Sequence, residues 1–185
     1  MRPIILMVLF SLWPGLALAE PCWWSDADHG QLGFVGQIEG RAFDGRFTAF
    51  AVSVCLDEAD KLASARIRVE VDTASADSGN PDRDRMMSGS SFFASRDFPT
   101  AVWQTESLRP DGEGFLAFGE LELRGIRVEQ PVELRFDFSS EVPRLSGEAR
   151  VSRLAYEVGT GEFADPDFIA DTVDVHFELD LREQR

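Results

Sequence analysis

Residues Val173–Leu181 read VDVHFELDL. Val173, Val175, Phe177, Leu179 and Leu181 are apolar, and Asp174, His176, Glu178 and Asp180 between them are polar. This strict period of two marks a strand with one dry face and one wet face. The same alternation runs through Ala65, Ile67, Val69 and Val71, through Leu121 and Leu123, and through Val132, Leu134, Phe136 and Phe138. Further strands are expected at 31–38, 47–56, 101–109, 114–123 and 144–152. The connections are short and rich in turn residues: Asp57-Glu58-Ala59-Asp60, Pro110-Asp111-Gly112 and Glu141-Val142-Pro143. About eight half-buried strands with short links predict an all-β antiparallel sheet, closed into a barrel or packed as a sandwich.

One stretch breaks the alternation. Asn80–Thr100 reads NPDRDRMMSGSSFFASRDFPT. Pro81 suits a first helical position with Asn80 as its cap, so short helices are expected at Pro81–Ser88 and Ser91–Ser95. No repeat or linker divides the chain.

The first residues read as a leader. Arg2 gives a positive start, Ile4–Leu12 a short apolar core, and Ala17-Leu18-Ala19 a small-x-small cleavage pattern. A secretory signal peptide over 1–19 is expected, leaving a single domain over 20–185 in the periplasm. The apolar core is short for a membrane span, and Ala-Glu-Pro before Cys22 is no lipobox. The chain has a formal net charge of −15, a poor match to nucleic acid or anionic headgroups. In an oxidising compartment its two cysteines, Cys22 and Cys55, suggest one disulfide, with two free thiols as the alternative.

Catalytic chemistry finds little support. The two histidines, His29 and His176, belong to no hydrolase or metalloprotease pattern. His176 falls on a wet strand face, and His29 reads as a structural hydrogen-bonding group. Glu162, Asp165, Asp167 and Asp171 fit no standard calcium loop and read as a solvated acidic turn. Gly159-Thr160-Gly161 imitates a dinucleotide fingerprint, but Pro166 follows and no helix starts there. Arg83 and Asp84 read as an ion pair or a helix-end contact. No catalytic residue, metal or cofactor is expected. Fifteen Phe and four Trp exceed the needs of a small filled barrel, yet the residues alone leave a filled interior and an open tunnel equally open.

Several segments, in order, resemble the YceI-like family. They are Asp26 and His29 with Leu32-Gly33-Phe34, then Gly45-Arg46-Phe47-Thr48-Ala49-Phe50, then Arg83-Asp84 followed by Phe92-Phe93 and Phe98-Pro99-Thr100, then Gly119–Val132. The run Val151–Leu179 resembles a branch linked with b-type cytochromes of the membrane. The resemblance implies a lipocalin-like antiparallel β-barrel, with a short helical excursion, that binds a long isoprenoid lipid in an apolar tunnel. A quinone is one such ligand. The alternative is an accessory protein with a filled barrel that docks on a membrane b-type cytochrome.

Many members of that family carry a His where Met86 stands, so any role for that imbidazole-bearing position falls away here. Within the implied tunnel, alternation places Phe50, Val52 and Val54 on one wall with Ile67, Val69 and Val71 beside them. Leu134 and Phe136 stand on another wall with Val132 and Phe138, and Phe177 closes the barrel with Val173 and Val175. Trp103, Phe92 and Phe93 are assigned to the tunnel and its mouth.

The leader reading predicts a mature N-terminus at Glu20. Terminal sequencing of the exported protein checks it, and Met1 or a diacylated Cys22 would contradict it.

Overall fold

The computed structural model describes residues 21–56 and 62–184. The expected signal segment and the turn at Asp57–Asp60 lie outside the described residues. In chain order the strands are β1 (Cys22–Asp26), β2 (Gly30–Ile38), β3 (Arg41–Phe47), β4 (Phe50–Leu56), β5 (Ala65–Asp72) and β6 (Ala76–Asp77). Helix α1 (Pro81–Ser88) follows. Then come β7 (Thr100–Thr105), β8 (Leu108–Asp111), β9 (Gly114–Leu123), β10 (Ile126–Asp137), β11 (Arg144–Ser152), β12 (Thr172–Asp180) and β13 (Arg182–Glu183).

These strands form one curled antiparallel sheet in the order β13-β1-β4-β5-β7-β9-β10-β11-β12-β2-β3-β6, with β8 on β9. The fold is the lipocalin-like all-β one expected. Thirteen described strands replace about eight for particular reasons. The expected strand 47–56 breaks at Thr48-Ala49, which leaves β3 as a separate partner of β2. β3 escaped notice because Asp44 and Arg46 on its outer face and Arg41 at the head of its inner face swamp its few apolar positions. The expected strand 101–109 breaks at Glu106-Ser107 into β7 and β8. β1, β6 and β13 are too short to show a period.

The sheet curls because its corners are laced together. Thr48 N donates to Ser75 O at 3.1 Å and Asp72 N to Ala49 O at 3.0 Å, which ties the β3–β4 corner to the end of β5. β1 lies on β4, with Cys22 opposite Cys55 and Asp26 opposite Ala51. β9 pairs with β10 along one side and serves two neighbours on the other: its first half pairs with β8 and its second half with β7. One end of the interior is filled. Val54, Leu56, Ala65, Ala117 and Leu181 are each no more than 2% exposed there.

The opposite end is covered by α1 and by the connection 153–171. Helix α1 has the expected bounds: Asn80 Oδ1 accepts from Asp82 N at 3.0 Å and from Arg83 N at 3.2 Å, and Pro81 begins the first turn. The expected helix Ser91–Ser95 is absent and the segment turns instead. Ala94 takes a left-handed conformation at φ 49°, which a right-handed helix cannot carry.

Cys22 and Cys55 are joined in a disulfide across the β1–β4 pair, 33 residues apart in sequence. Closing a loop of that length removes about 4 kcal/mol of unfolded-state entropy. Cys55→Ser should therefore lower stability by up to that amount, read by denaturant unfolding, while the far-ultraviolet spectrum stays that of a β-sheet. Equal stability of the variant and the wild type would show that the crosslink holds nothing.

Candidate functional site

The half of the barrel next to the cap is hollow. Its cavity has a volume of about 280 Å³. Alternation builds the wall strand by strand. β4 contributes Phe50 and Val52; β5 contributes Ile67, Val69 and Val71; β10 contributes Val132 and Leu134; β12 contributes Val173, Val175 and Phe177. These positions are two residues apart, so each strand turns its polar partners to water.

The polar groups among the lining residues are mostly used up by the protein. Thr73 Oγ1 donates to Phe98 O at 2.8 Å. Gln130 Nε2 donates to Pro131 O and to Arg150 O, both at 3.0 Å. The β10–β11 ladder ends at Glu133 opposite Glu148, and continuing its register brings Pro131 level with Arg150. Proline has no N–H for that carbonyl, and the Gln130 amide supplies the missing donor. Trp103 Nε1 donates to Gln130 O at 3.0 Å. Its ring lies against Gly119, where a Cβ would come within 2.4 Å of the indole, so only glycine fits beneath it. Phe34 lies likewise on Gly45, within 2.2 Å of where a Cβ would stand. A relay of ring contacts then runs from wall to cap: Phe34 to Phe47 at 5.3 Å and Phe47 to Phe93 at 6.1 Å.

Arg153 organises the cap. It is 4% exposed and spends all five N–H donors on backbone carbonyls. Nε reaches Ala170 O, Nη1 reaches Val158 O and Gly159 O, and Nη2 reaches Phe163 O and Ile169 O, at 2.6–3.0 Å. Burial pushes its pKa below the usual arginine value, and the Asp171 carboxylate opposes that shift. Gly159 and Gly161 both have positive φ, so they are the turn residues their sequence implied. Gly159 N donates to Ser91 O at 2.7 Å, which joins the two halves of the cap. Phe92 packs on Phe163 at 5.1 Å in the same contact region.

Of the residues assigned to the tunnel, Phe50, Val52, Ile67, Val69, Phe92, Phe93, Trp103, Leu134 and Phe177 line the cavity. Val54 and Phe136 do not. Val54 is buried in the filled end, and Phe136 stacks on Phe138 at 5.9 Å and meets Phe115 edge-on at 6.1 Å. Each sits one step too far along its strand. Phe138, also placed on a wall, is 45% exposed beyond the barrel rim. Phe92 is buried under the cap, whereas the lining residues that reach solvent are Gln37 on β2 and Met86 on α1. Leu32, Phe34, Phe43 and Phe47 of the β2–β3 hairpin complete that side and were not assigned from sequence.

The remaining polar candidates have structural partners. His29 Nδ1 lies 2.7 Å from Asp26 Oδ1 and its ring meets Trp24 edge-on at 4.9 Å. The hydrogen bond to His29 holds the Asp26 carboxyl below its ordinary pKa. Arg83 and Asp84 do not pair with each other. Both grip Ser78: Arg83 Nε donates to Ser78 Oγ at 2.8 Å, and Ser78 N donates to Asp84 Oδ1 at 2.9 Å. Asp171 accepts from Ser152 Oγ and from Leu154 N, and Asp165 from Asp167 N.

With this geometry in hand, the comparisons with known proteins are direct. The YceI-like domain matches residues 23–181, and the chain belongs to that family. A UPF0312 protein of Yersinia pestis (strain Pestoides F) is 31% identical over 90 residues, covering 49% of this chain and 45% of the relative. A UPF0312 protein of Vibrio vulnificus (strain YJ016) is 30% identical over 112 residues, covering 60% and 58%. The alignments thus span about half the length of these relatives. BcnA of Burkholderia cenocepacia has the same fold, with a TM-score of 0.79 at 24% identity over 85% of this chain and 99% of that one. So does a polyisoprenoid binding domain from Saccharophagus degradans, with a TM-score of 0.65 at 18% identity over 87% and 98%.

The Arg153 clamp has a direct test. Arg153→Met removes five donors and leaves several buried carbonyls unpaired. It should cost about 3 kcal/mol and speed amide exchange over residues 153–171 in particular. A variant with wild-type stability and exchange would show that the cap is held by packing alone.

Proposed function

We propose that this protein binds a long-chain isoprenoid lipid, its apolar tail in the cavity beneath the α1 cap, and serves as a carrier or buffer for that lipid in the periplasm. The observation that carries this reading is the cavity itself. A barrel of this size can fill its interior with side chains, and the lower half does so. The upper half keeps a lined, apolar space whose polar groups, apart from Arg83 at its rim, are largely satisfied by the protein. Such a space asks nothing of a ligand except that it be greasy and slender. The fold shared with a polyisoprenoid binding domain and the leader-like segment at 1–19 support the same reading.

The energetics suit exchange. A prenyl chain leaving a bilayer loses about 0.8 kcal/mol of favourable burial per CH₂, and an apolar cavity returns a similar amount. Transfer is then nearly balanced, and neither bond-making nor a charged ligand clamp is needed. The finer reading, a quinone headgroup and a membrane b-type cytochrome as the partner, rests on the Val151–Leu179 resemblance.

Native mass spectrometry of the purified protein tests the proposal. A copurifying prenyl lipid supports the carrier. An empty barrel recovered with a membrane cytochrome supports the accessory role instead. Val69→Trp places a large ring in the cavity and should abolish the bound lipid while the protein keeps a cooperative melt. Retention of the same lipid by that variant would place the ligand elsewhere.

A further inference from the structure

The cavity holds one cation whose hydrogen bonds are not used up. Arg83 lies in the first turn of α1 and lines the cavity beside Met86, at its solvent-reaching end. Its guanidinium carbon stands 4.1 Å above the centre of the Phe43 ring, another lining residue. Nε is bound to Ser78 Oγ at 2.8 Å and Nη2 to Ser78 O at 3.0 Å. A guanidinium has five N–H donors. Three of Arg83's therefore have no partner among the described residues, and both donors of Nη1 are among them. The contrast with Arg153 is direct: both arginines line the cavity, but only Arg153 is saturated.

Arg83 is also held still. The Ser78 clamp fixes one edge of the guanidinium, and the Phe43 ring fixes its plane. A fork fixed on two sides, with a free third side, is preorganised to donate to an oxygen acceptor. The tail-binding surface lies on one side of it and water on the other. A ligand seated tail-first would bring its head to this place. Gln37, exposed near the end of β2, adds a neutral amide to the lining of the same cavity.

Resting on the lipid-binding reading above, we propose that Arg83 reads the head of the bound lipid, and that the head it selects is a neutral carbonyl-type acceptor rather than a phosphate. The neutral choice follows from the charges around it. Asp84 is held on Ser78, two bonds from the same guanidinium, and Asp82 pairs with Arg85 at 2.9 Å. Helix α1 thus carries its own carboxylates, Asp82 and Asp84, beside its arginines, and the chain as a whole is strongly acidic. A carbonyl takes the free donors without adding a further negative charge to this surface, whereas a phosphate brings one or two. Arg83 is a specificity-determining residue in this scheme, and the apolar walls supply affinity for the tail.

The test is a competition, read by native mass spectrometry, on full-length mature protein stripped of lipid. Three probes share one C20 prenyl tail: a benzoquinone, a monophosphate and the plain hydrocarbon. Wild type should prefer the quinone to the hydrocarbon by about tenfold, the worth of one charge-assisted hydrogen bond. Arg83→Met keeps an apolar stem over Phe43 and should bring that ratio to about one while hydrocarbon binding stays within about twofold. Asp84→Asn disturbs the same Ser78 clamp but leaves the guanidinium, and should keep the preference. Loss of all three probes in either variant would point to a merely structural role and overturn the proposal. A preference that survives in Arg83→Met, or a wild type that takes the hydrocarbon as readily as the quinone, would also overturn it. Selection of the monophosphate over the quinone would overturn the neutral head. Failure of wild type to bind any probe would remove the carrier reading itself.

Discussion

A dry interior accepts a polar group only where the protein itself meets that group's hydrogen bonds. Most of this architecture follows from that demand. The sheet curls and laces its corners, so few strand edges are left to face apolar space. The β10–β11 ladder stops short of Pro131, and beyond its end the Gln130 side-chain amide donates to Arg150 O. Trp103 can bring its large ring inside because its one donor finds Gln130 O. The connection 153–171 has little regular structure with which to satisfy its carbonyls, so a buried arginine does it for them. Each device leaves the surface toward the cavity apolar.

The hollow half has an energetic consequence. An unfilled cavity forfeits contacts that a packed core would make, and comparable voids made by mutation cost several kcal/mol. The stability that offsets this loss lies at the other end. Val54, Leu56, Ala65, Ala117 and Leu181 pack there with almost no exposure, and the Cys22–Cys55 bond crosslinks the strands that carry part of that core. The strands run continuously from one half to the other. The filled end can therefore hold the wall of the open end in place, and stability and ligand space are divided along the barrel axis.

The sequence showed the walls well and the ends poorly. Period-two alternation is a local signal, and it marked β5, β10 and β12 with their inward residues. It does not show how far along a strand the cavity stops. Val54 and Phe136 share a face with true lining residues and were assigned with them, although they lie in or beside the filled end. β3 was lost because a strand of polar outer residues with aromatics at wide intervals has little periodic contrast. Arg153 looked like any surface arginine, since its role depends on five carbonyls spread over the following residues. Helix α1 was legible to the residue because its capping is chemical: Asn80 and Pro81 specify the start by hydrogen bonding and fixed φ. The segment after it was not, because the left-handed turn at Ala94 has no such signature in an ordinary L residue.

The two ends also differ in how they resist opening. The filled end buries apolar side chains in continuous ladders, so its exchange with water requires losing much of the fold. The cap has few ladders and depends on Arg153, the Gly159–Ser91 hydrogen bond and aromatic contacts such as Phe92 with Phe163. Such a unit can open locally without the barrel coming apart. That order of stabilities suits the proposed lipid binding, in which a tail would reach Val69 or Leu134 past the cap or between α1 and the β2–β3 hairpin. Met86 at this boundary is unbranched and adaptable, and it is 47% exposed already. An imidazole there would hold water at the rim, whereas a thioether lets an apolar chain pass with little desolvation. The side chains that border the opening therefore divide the work by chemistry: Met86 offers a greasy sill, and the clamped guanidinium of Arg83 stands beside it.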